Sequence, residues 1–174
     1  MAGLQFTPVT FAQCELAALA NPSFEVGSGN AFSGWNQFNA VSQTNTLLAH
    51  GNRAARLAGS NSGNWDLSAV WQKQNSVPGD IWELRAFVGH EAADPLIGAN
   101  IKLLVNIEWR DAGDNLILGY PNAGDPGYQS FTVLTETSPY DEMQQVIVTG
   151  LPAPAGTASI HVLIGLLQSP AMEP

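Results

Sequence analysis

Cysteine, positive charge and long apolar runs are all scarce in this 174-residue chain, and each shortage removes a class of protein. The single cysteine, Cys14, rules out an intrachain disulfide and reads as a small buried hydrophobe. Six Lys and Arg against fifteen Asp and Glu leave a formal charge of −9. Such a surface repels phosphate backbones and anionic headgroups, so neither nucleic acid nor a membrane is an expected partner. Pro, Gly or a charge interrupts every apolar run before the roughly 18 residues that a membrane-spanning helix requires. The first residues lack the basic stretch of an export signal, and Thr7, Pro8 and Thr10 break the apolar run that would follow it.

Catalytic signatures are equally thin. His90-Glu91-Ala92-Ala93-Asp94 lacks the second histidine of a zinc-protease helix, and no glycine loop cradles a phosphate ahead of a helix. Gly-x-Ser-x-Gly does not occur in a strand–turn–helix context. His50, His90 and His161 are scattered and read as satisfied surface or core residues. The chain is therefore expected not to be an enzyme.

What remains is a globular composition, 45% hydrophobic with 12% charged residues, and length enough for one self-sufficient core. Short runs of Val, Ile, Leu, Phe and Trp alternate with turns such as Pro78-Gly79-Asp80, 112–115 and 123–127. Many short strands separated by Gly, Pro and Asn turns predict an all-β, antiparallel jelly-roll sandwich. No repeat, linker or low-complexity tract interrupts it. Ahead of it, residues 4–11 alternate loosely around Pro8, which suits an edge strand or an arm. Residues 12–20 fit a two-turn helix or a strand equally well before Asn21-Pro22 stops them. The expected organisation is an arm at 1–20, the sandwich at 21–168 and a tail at 169–174.

Two stretches show the period-two pattern of a strand with one buried face. In Ile101 to Arg110 the odd positions are all apolar, while Lys102, Asn106, Glu108 and Arg110 lie opposite, with Leu104 as the exception. In Ile81 to Val88, Trp82, Leu84, Ala86 and Val88 face away from Glu83 and Arg85. If the two strands are antiparallel neighbours, Glu83, Arg85, Lys102, Glu108 and Arg110 share one surface. A carboxylate pair of that kind can flank a glycosidic bond, but each Glu has an Arg two positions along. Ion pairing on a solvated sheet is the simpler reading.

The aromatics divide the same way. Trp35, Trp82 and Trp109 fall at core positions. Trp65 sits in the polar loop SNSGNWD, and Trp71 begins a run with Gln72, Lys73, Gln74 and Asn75. Tyr120 and Tyr128 bracket the glycine-rich loop between them. Flat rings beside hydrogen-bonding groups are how a protein grips a sugar, so Trp65, Trp71, Tyr120 and Tyr128 are candidate glycan or partner contacts, with Glu83, Arg85, Glu108 and Arg110 as polar candidates.

The stretch NPSFEVGSGNAFSGW (21–35), with HGNRAARLAG (50–59), VPGDIWELRAFV (77–88), IEWRDAGDNLI (107–117) and PAPAGTASIHVLIGL (152–166), occurs in an order that resembles the galactose-binding-like jelly-roll modules of secreted glycanases. The resemblance implies a non-catalytic glycan-binding fold. It also implies a structural calcium held partly by Glu25, although Ile164-Gly165-Leu166-Leu167 lacks the acidic residue expected near the end; no other cofactor is expected. With no export signal, the leading expectation is a structural protein of a large assembly, a virion decoration protein at the particle surface. Its arm residues Leu4, Phe6, Val9 and Phe11 would then pack on a neighbouring subunit in an oligomer or lattice. The alternative is a glycan-binding module of a secreted, extracellular polysaccharide-degrading enzyme.

Overall fold

The computed structural model describes residues 19–59, 64–98 and 101–168, and every regular element among them is a strand. Eleven strands follow in order: β1 Gly27–Ser28, β2 Ala31–Phe32, β3 Asn36–Phe38, β4 Val41–Thr44, β5 Ala54–Leu57 and β6 Asp66–Asn75. They continue with β7 Glu83–Val88, β8 Ile101–Arg110, β9 Tyr128–Leu134, β10 Gln144–Thr149 and β11 Ser159–Gln168. All pair antiparallel.

One layer is a continuous five-stranded sheet in the order β3-β6-β11-β8-β9. Its three central strands are ten residues each, and β11 is paired along its whole length on both sides. The second layer is made of two separate ribbons, β4-β5 and β7-β10, and the hairpin β1-β2 closes one end.

The core lies between the layers and has two centres. In the first, Ile107, Trp109, Ile160 and Val162 from the large sheet meet Trp82 and Leu84 from the β7 side. In the second, Val70 and Ile164 meet Val41, Ala55 and Leu57 of the β4-β5 ribbon, together with Phe32 and Trp35. The alternation read in Ile101–Arg110 and Ile81–Val88 thus points inward as expected, with Trp109 and Val105 fully buried. The shared charged surface does not form. Among the described residues β7 pairs only with β10, whereas β8 pairs with β11 and β9, so the two strands stand in opposite layers and their polar faces look away from each other. Alternation fixes which face of a strand is wet. It does not fix which layer the strand joins.

The stretch 21–35 folds as a knot around its aromatic rings. Phe24 stacks on Trp35 with centroids 4.7 Å apart and meets Phe32 edge-on at 5.3 Å. The indole N–H of Trp35 donates to the Asn21 carbonyl at 2.9 Å. The Asn21 side chain donates to the carbonyls of Val26 and Ser33 and accepts from the Val26 N–H, which ties both arms of the loop together. Gly34 stands at φ 84°, where a Cβ would come within 2.8 Å of the Ala20 methyl, so no side chain is accommodated. Of the stretch 12–20, only Leu19 and Ala20 are described. Neither is helical, and Ala20 is held by the Gln72 side chain through its N–H and its carbonyl. The arm residues Leu4, Phe6, Val9 and Phe11, Cys14 and the tail 169–174 lie outside the described residues.

Candidate functional site

The outward face of the five-stranded sheet carries the most chemistry. Register sets its rows: His161 of β11 lies between Lys73 of β6 and Glu108 of β8, and Leu163 lies between Trp71 and Asn106. Tyr128 of β9 is opposite Glu108. The odd residues of β6 and β11 and the even residues of β8 therefore project on one side, because pleating alternates side chains. In the Trp71–Asn75 run this splits the polar groups. Lys73 and Asn75 share the outward side with Trp71, while Gln72 is buried and holds Ala20.

Trp71 and His161 stack with ring centroids 4.4 Å apart and planes 20° from parallel. They floor a shallow depression of about 370 Å³ whose other walls are Glu108, Arg110, Asp114 and Leu163. Charges are arranged in two cation–carboxylate pairs around the imidazole. The Arg110 guanidinium donates to Glu108 Oε2 at 2.6 Å and to the Asp114 carbonyl at 3.0 Å. Lys73 Nζ donates to Asp114 Oδ1 at 2.6 Å. His161 sits between the pairs, its Nδ1 3.7 Å from Glu108 and its Nε2 3.5 Å from Asp114.

Burial, reinforced by the Arg110 charge, holds the His161 pKa below the usual 6.5, so the ring is neutral at neutral pH. The Lys73 ammonium hydrogen bond holds the exposed Asp114 carboxyl below its usual 3.8. Asp111 is lowered as well, but by the Asn115 backbone N–H that it accepts. The two aspartates of one turn thus divide the work. Asp111 bonds its own loop, as turn aspartates do, while Asp114, at φ 65°, turns its carboxylate to the sheet.

Four polar atoms on this face are buried without an intramolecular partner: Asn106 Oδ1, Arg110 Nε, Ser159 Oγ and His161 Nε2. All four lie on the adjacent strands β8 and β11.

Of the residues singled out in the sequence, Trp71, Tyr128, Glu108 and Arg110 come together here. Trp65 is 66% exposed just before β6, at the far end of that strand from Lys73. Tyr120 is turned inward: its ring meets Trp109 edge-on at 4.7 Å, and its hydroxyl donates to the Pro152 carbonyl at 2.6 Å. Burial raises its pKa above 10. Glu83 and Arg85 pair with each other at 2.7 Å on the opposite layer. Glu83 and Glu108 therefore cannot flank one glycosidic bond. His161, Lys73, Asp114 and Asn106 complete the face, and only the Ser159-Ile160-His161-Val162 alternation advertised His161 in the sequence.

Glu25 has a different task. Its Oε1 accepts the backbone N–H groups of Asn52 and Arg53 at 3.0 and 3.2 Å, across Gly51, where any Cβ would strike that oxygen at 2.1 Å. The Arg53 guanidinium donates to the Gly29 carbonyl at 2.8 Å and lies 4.7 Å over the Phe32 ring. One oxygen of the Glu25 carboxylate is thus occupied by two backbone donors. Among the described residues no group of three or more His, Cys, Asp or Glu is placed to hold a metal.

No protein-family model matches the sequence, and no curated protein matches it. Solved structures with a similar fold include a "Family 16 Carbohydrate Binding Module-2", at TM-score 0.51 and 18% identity over 87% of this chain and 90% of that one. Another is the enzymatically active domain of bacteriophage CBA120 tailspike protein 4, at TM-score 0.50 and 12% identity over 85% of this chain but 19% of that one. A third is the CBM22-1 xylan-binding domain of Paenibacillus barcinonensis Xyn10C, at TM-score 0.47 and 16% identity, covering 84% and 87% of the two chains. The chain has the jelly-roll fold found in carbohydrate-binding modules.

Proposed function

We propose that this protein is a non-catalytic glycan-binding module that takes a saccharide on the outward face of its five-stranded sheet. The observation that carries the reading is the stacked Trp71–His161 pair, set in a depression whose rim alternates fixed donors and acceptors. A pyranose offers an apolar C–H face and a belt of hydroxyls. The indole edge and Leu163 suit the first; Lys73, Arg110, Glu108 and Asp114 suit the second. Because the charges are already paired with each other, they are held in place without a ligand and lose little side-chain entropy when one binds. Both cations at this aromatic platform, Lys73 and Arg110, are already paired with carboxylates, and His161 beside them is neutral, which favours a polyhydroxyl ligand over a strongly anionic one.

Retention on immobilised polysaccharides and on a broad glycan array tests this. The unmodified protein should be retained by at least one glycan, and Trp71→Ala should weaken binding at least about tenfold, or about 1.4 kcal/mol. No retention of the unmodified protein on any glycan would remove the reading.

A second reading, attachment to a protein neighbour as in a virion surface assembly, is favoured by the opposite layer. There Phe87 and Ile147 stand outward on β7 and β10, 48% and 53% exposed, with Ile81 and Leu151 also exposed at the ribbon's end. Outward apolar groups in such a cluster mark surfaces that other proteins cover. A Phe87→Glu/Ile147→Glu double variant should then lose any self-association seen by light scattering; a strictly monomeric unmodified protein, still monomeric with its assembly partners present, would end this reading. The two readings use opposite faces and are compatible.

A further inference from the structure

The charged side chains around the Trp71–His161 platform cancel among the described residues. Lys73 of β6 pairs with Asp114 of the turn after β8, and Arg110 of β8 pairs with Glu108 of the same strand. Tyr128 of β9, opposite Glu108, is the remaining titratable neighbour. The balance holds only while His161 of β11 is uncharged. Its buried ring has Nδ1 3.7 Å from Glu108 Oε2 and Nε2 3.5 Å from Asp114 Oδ1. These separations are slightly longer than a hydrogen bond, so a small side-chain movement closes either carboxylate on an imidazolium. A protonated ring then leaves the cluster with one net positive charge.

We propose that His161 sets the charge class of the saccharide this face accepts: an uncharged sugar with the ring neutral, and an acidic one such as a hexuronate with the ring protonated. The inference rests on the glycan-binding reading above and adds its specificity. A ligand that covers the depression strips water from every charge in it. That costs more for a cluster with a net charge than for a balanced one, so an uncharged hexose binds the balanced form better. A hexuronate brings a carboxylate, which a net positive cluster attracts and a balanced one does not. Burial, the Arg110 charge and the Lys73 charge all keep His161 neutral, against Asp114 and Glu108. The protein is therefore in its hexose form at neutral pH. It passes to the acidic-sugar form as the pH falls from 6.5 through the lowered His161 value. Asp114 stays ionised meanwhile, because the Lys73 hydrogen bond holds it below 3.8. Binding and protonation are reciprocal: a sugar that prefers one form of the ring must move the ring's own titration toward that form.

The test uses the whole chain and matched oligosaccharides of the same linkage that differ only in their carboxyl groups: glucan with glucuronan, and mannan with mannuronan. Ring-proton NMR gives the His161 titration midpoint, free and with each sugar, and affinities are measured above and below it. The uncharged oligomer should lower the midpoint and the uronate oligomer raise it. As His161 protonates, the affinity ratio should move toward the uronate by about fivefold, the effect of one unit charge about 4 Å away in a water-like dielectric. Two variants change the charge at fixed pH. Asp114→Asn, at a half-exposed turn position, leaves one net positive charge at neutral pH and should move the ratio toward the uronate; Lys73→Gln should move it the other way. His161→Gln should hold the ratio constant with pH. A ratio that responds neither to pH nor to Asp114→Asn, or a His161 midpoint that neither sugar moves, would overturn the proposal and leave the glycan site standing. So would tighter binding of the uronate by the unmodified protein at neutral pH. Retention of no glycan, charged or uncharged, would remove the glycan-binding reading and this proposal with it.

Discussion

The two layers of the sandwich are made from similar residues but differ in continuity. In the five-stranded sheet, β6, β11 and β8 run ten residues in unbroken register. Behind it, among the described residues, strands of four to six residues form two ribbons, β4-β5 and β7-β10. Length explains the contrast. A long strand paired on both sides holds each outward side chain at a fixed row and spacing, so the sheet can present Trp71, His161, Glu108 and Arg110 as one surface. Short ribbons bury their inward residues yet leave outward apolar groups. The proposed glycan reading uses the first property, and the second reading, contact with a protein neighbour, uses the second.

The largest expected effect sharpens that contrast in the core. Trp109→Ala, fully buried in the long sheet, should cost about 3–5 kcal/mol in urea denaturation. Phe87→Ala, half-exposed on the ribbon, should stay within about 0.5 kcal/mol. Comparable losses at both positions would break the distinction. Next comes the carboxylate pair. Glu108→Gln removes the partner of a guanidinium that is only 24% exposed and should weaken glycan binding several-fold. Glu83→Gln, in an exposed pair on the other layer, should leave binding unchanged and stability within about 0.5 kcal/mol. Smallest is a pH effect. The folded His161 pKa lies below the unfolded value near 6.5, so its neutral form is favoured by folding. Stability from this residue is complete above pH 6.5 and is lost as the pH falls from there through the lowered folded value. In His161→Phe that part of the acid slope should vanish; a slope identical to the unmodified protein's would show that His161 is not its source.

The sequence made the strands and their faces legible, and less of how they assemble. Alternation in Ile101–Arg110 correctly assigned Trp109 to the core, and the polar run after Trp71 made it a candidate contact, which the register of β6 sets on the outward side. The same alternation left the partner of each strand open, which is why Glu83 and Glu108, alike on paper, end on opposite layers. Tyr120 looked like a loop aromatic because nothing in its neighbourhood shows that the Pro152 carbonyl, 32 residues later, takes its hydroxyl. His161 and Asp114 were passed over for related reasons: one lies in an apolar strand and the other in a turn, and only the pairing of β11 between β6 and β8 brings them beside Trp71 and Lys73.

The central claim is that the outward face of the long sheet holds the glycan, and titration of isotope-labelled protein with an oligosaccharide it retains, followed by amide and indole NMR shifts, tests it most directly. The account expects the shifts to gather on Trp71, Lys73, Asn106, Glu108, Asp114 and His161, with Arg85, Phe87 and Ile147 unmoved. Shifts centred on β7 and β10, or on β4 and β5, would contradict it.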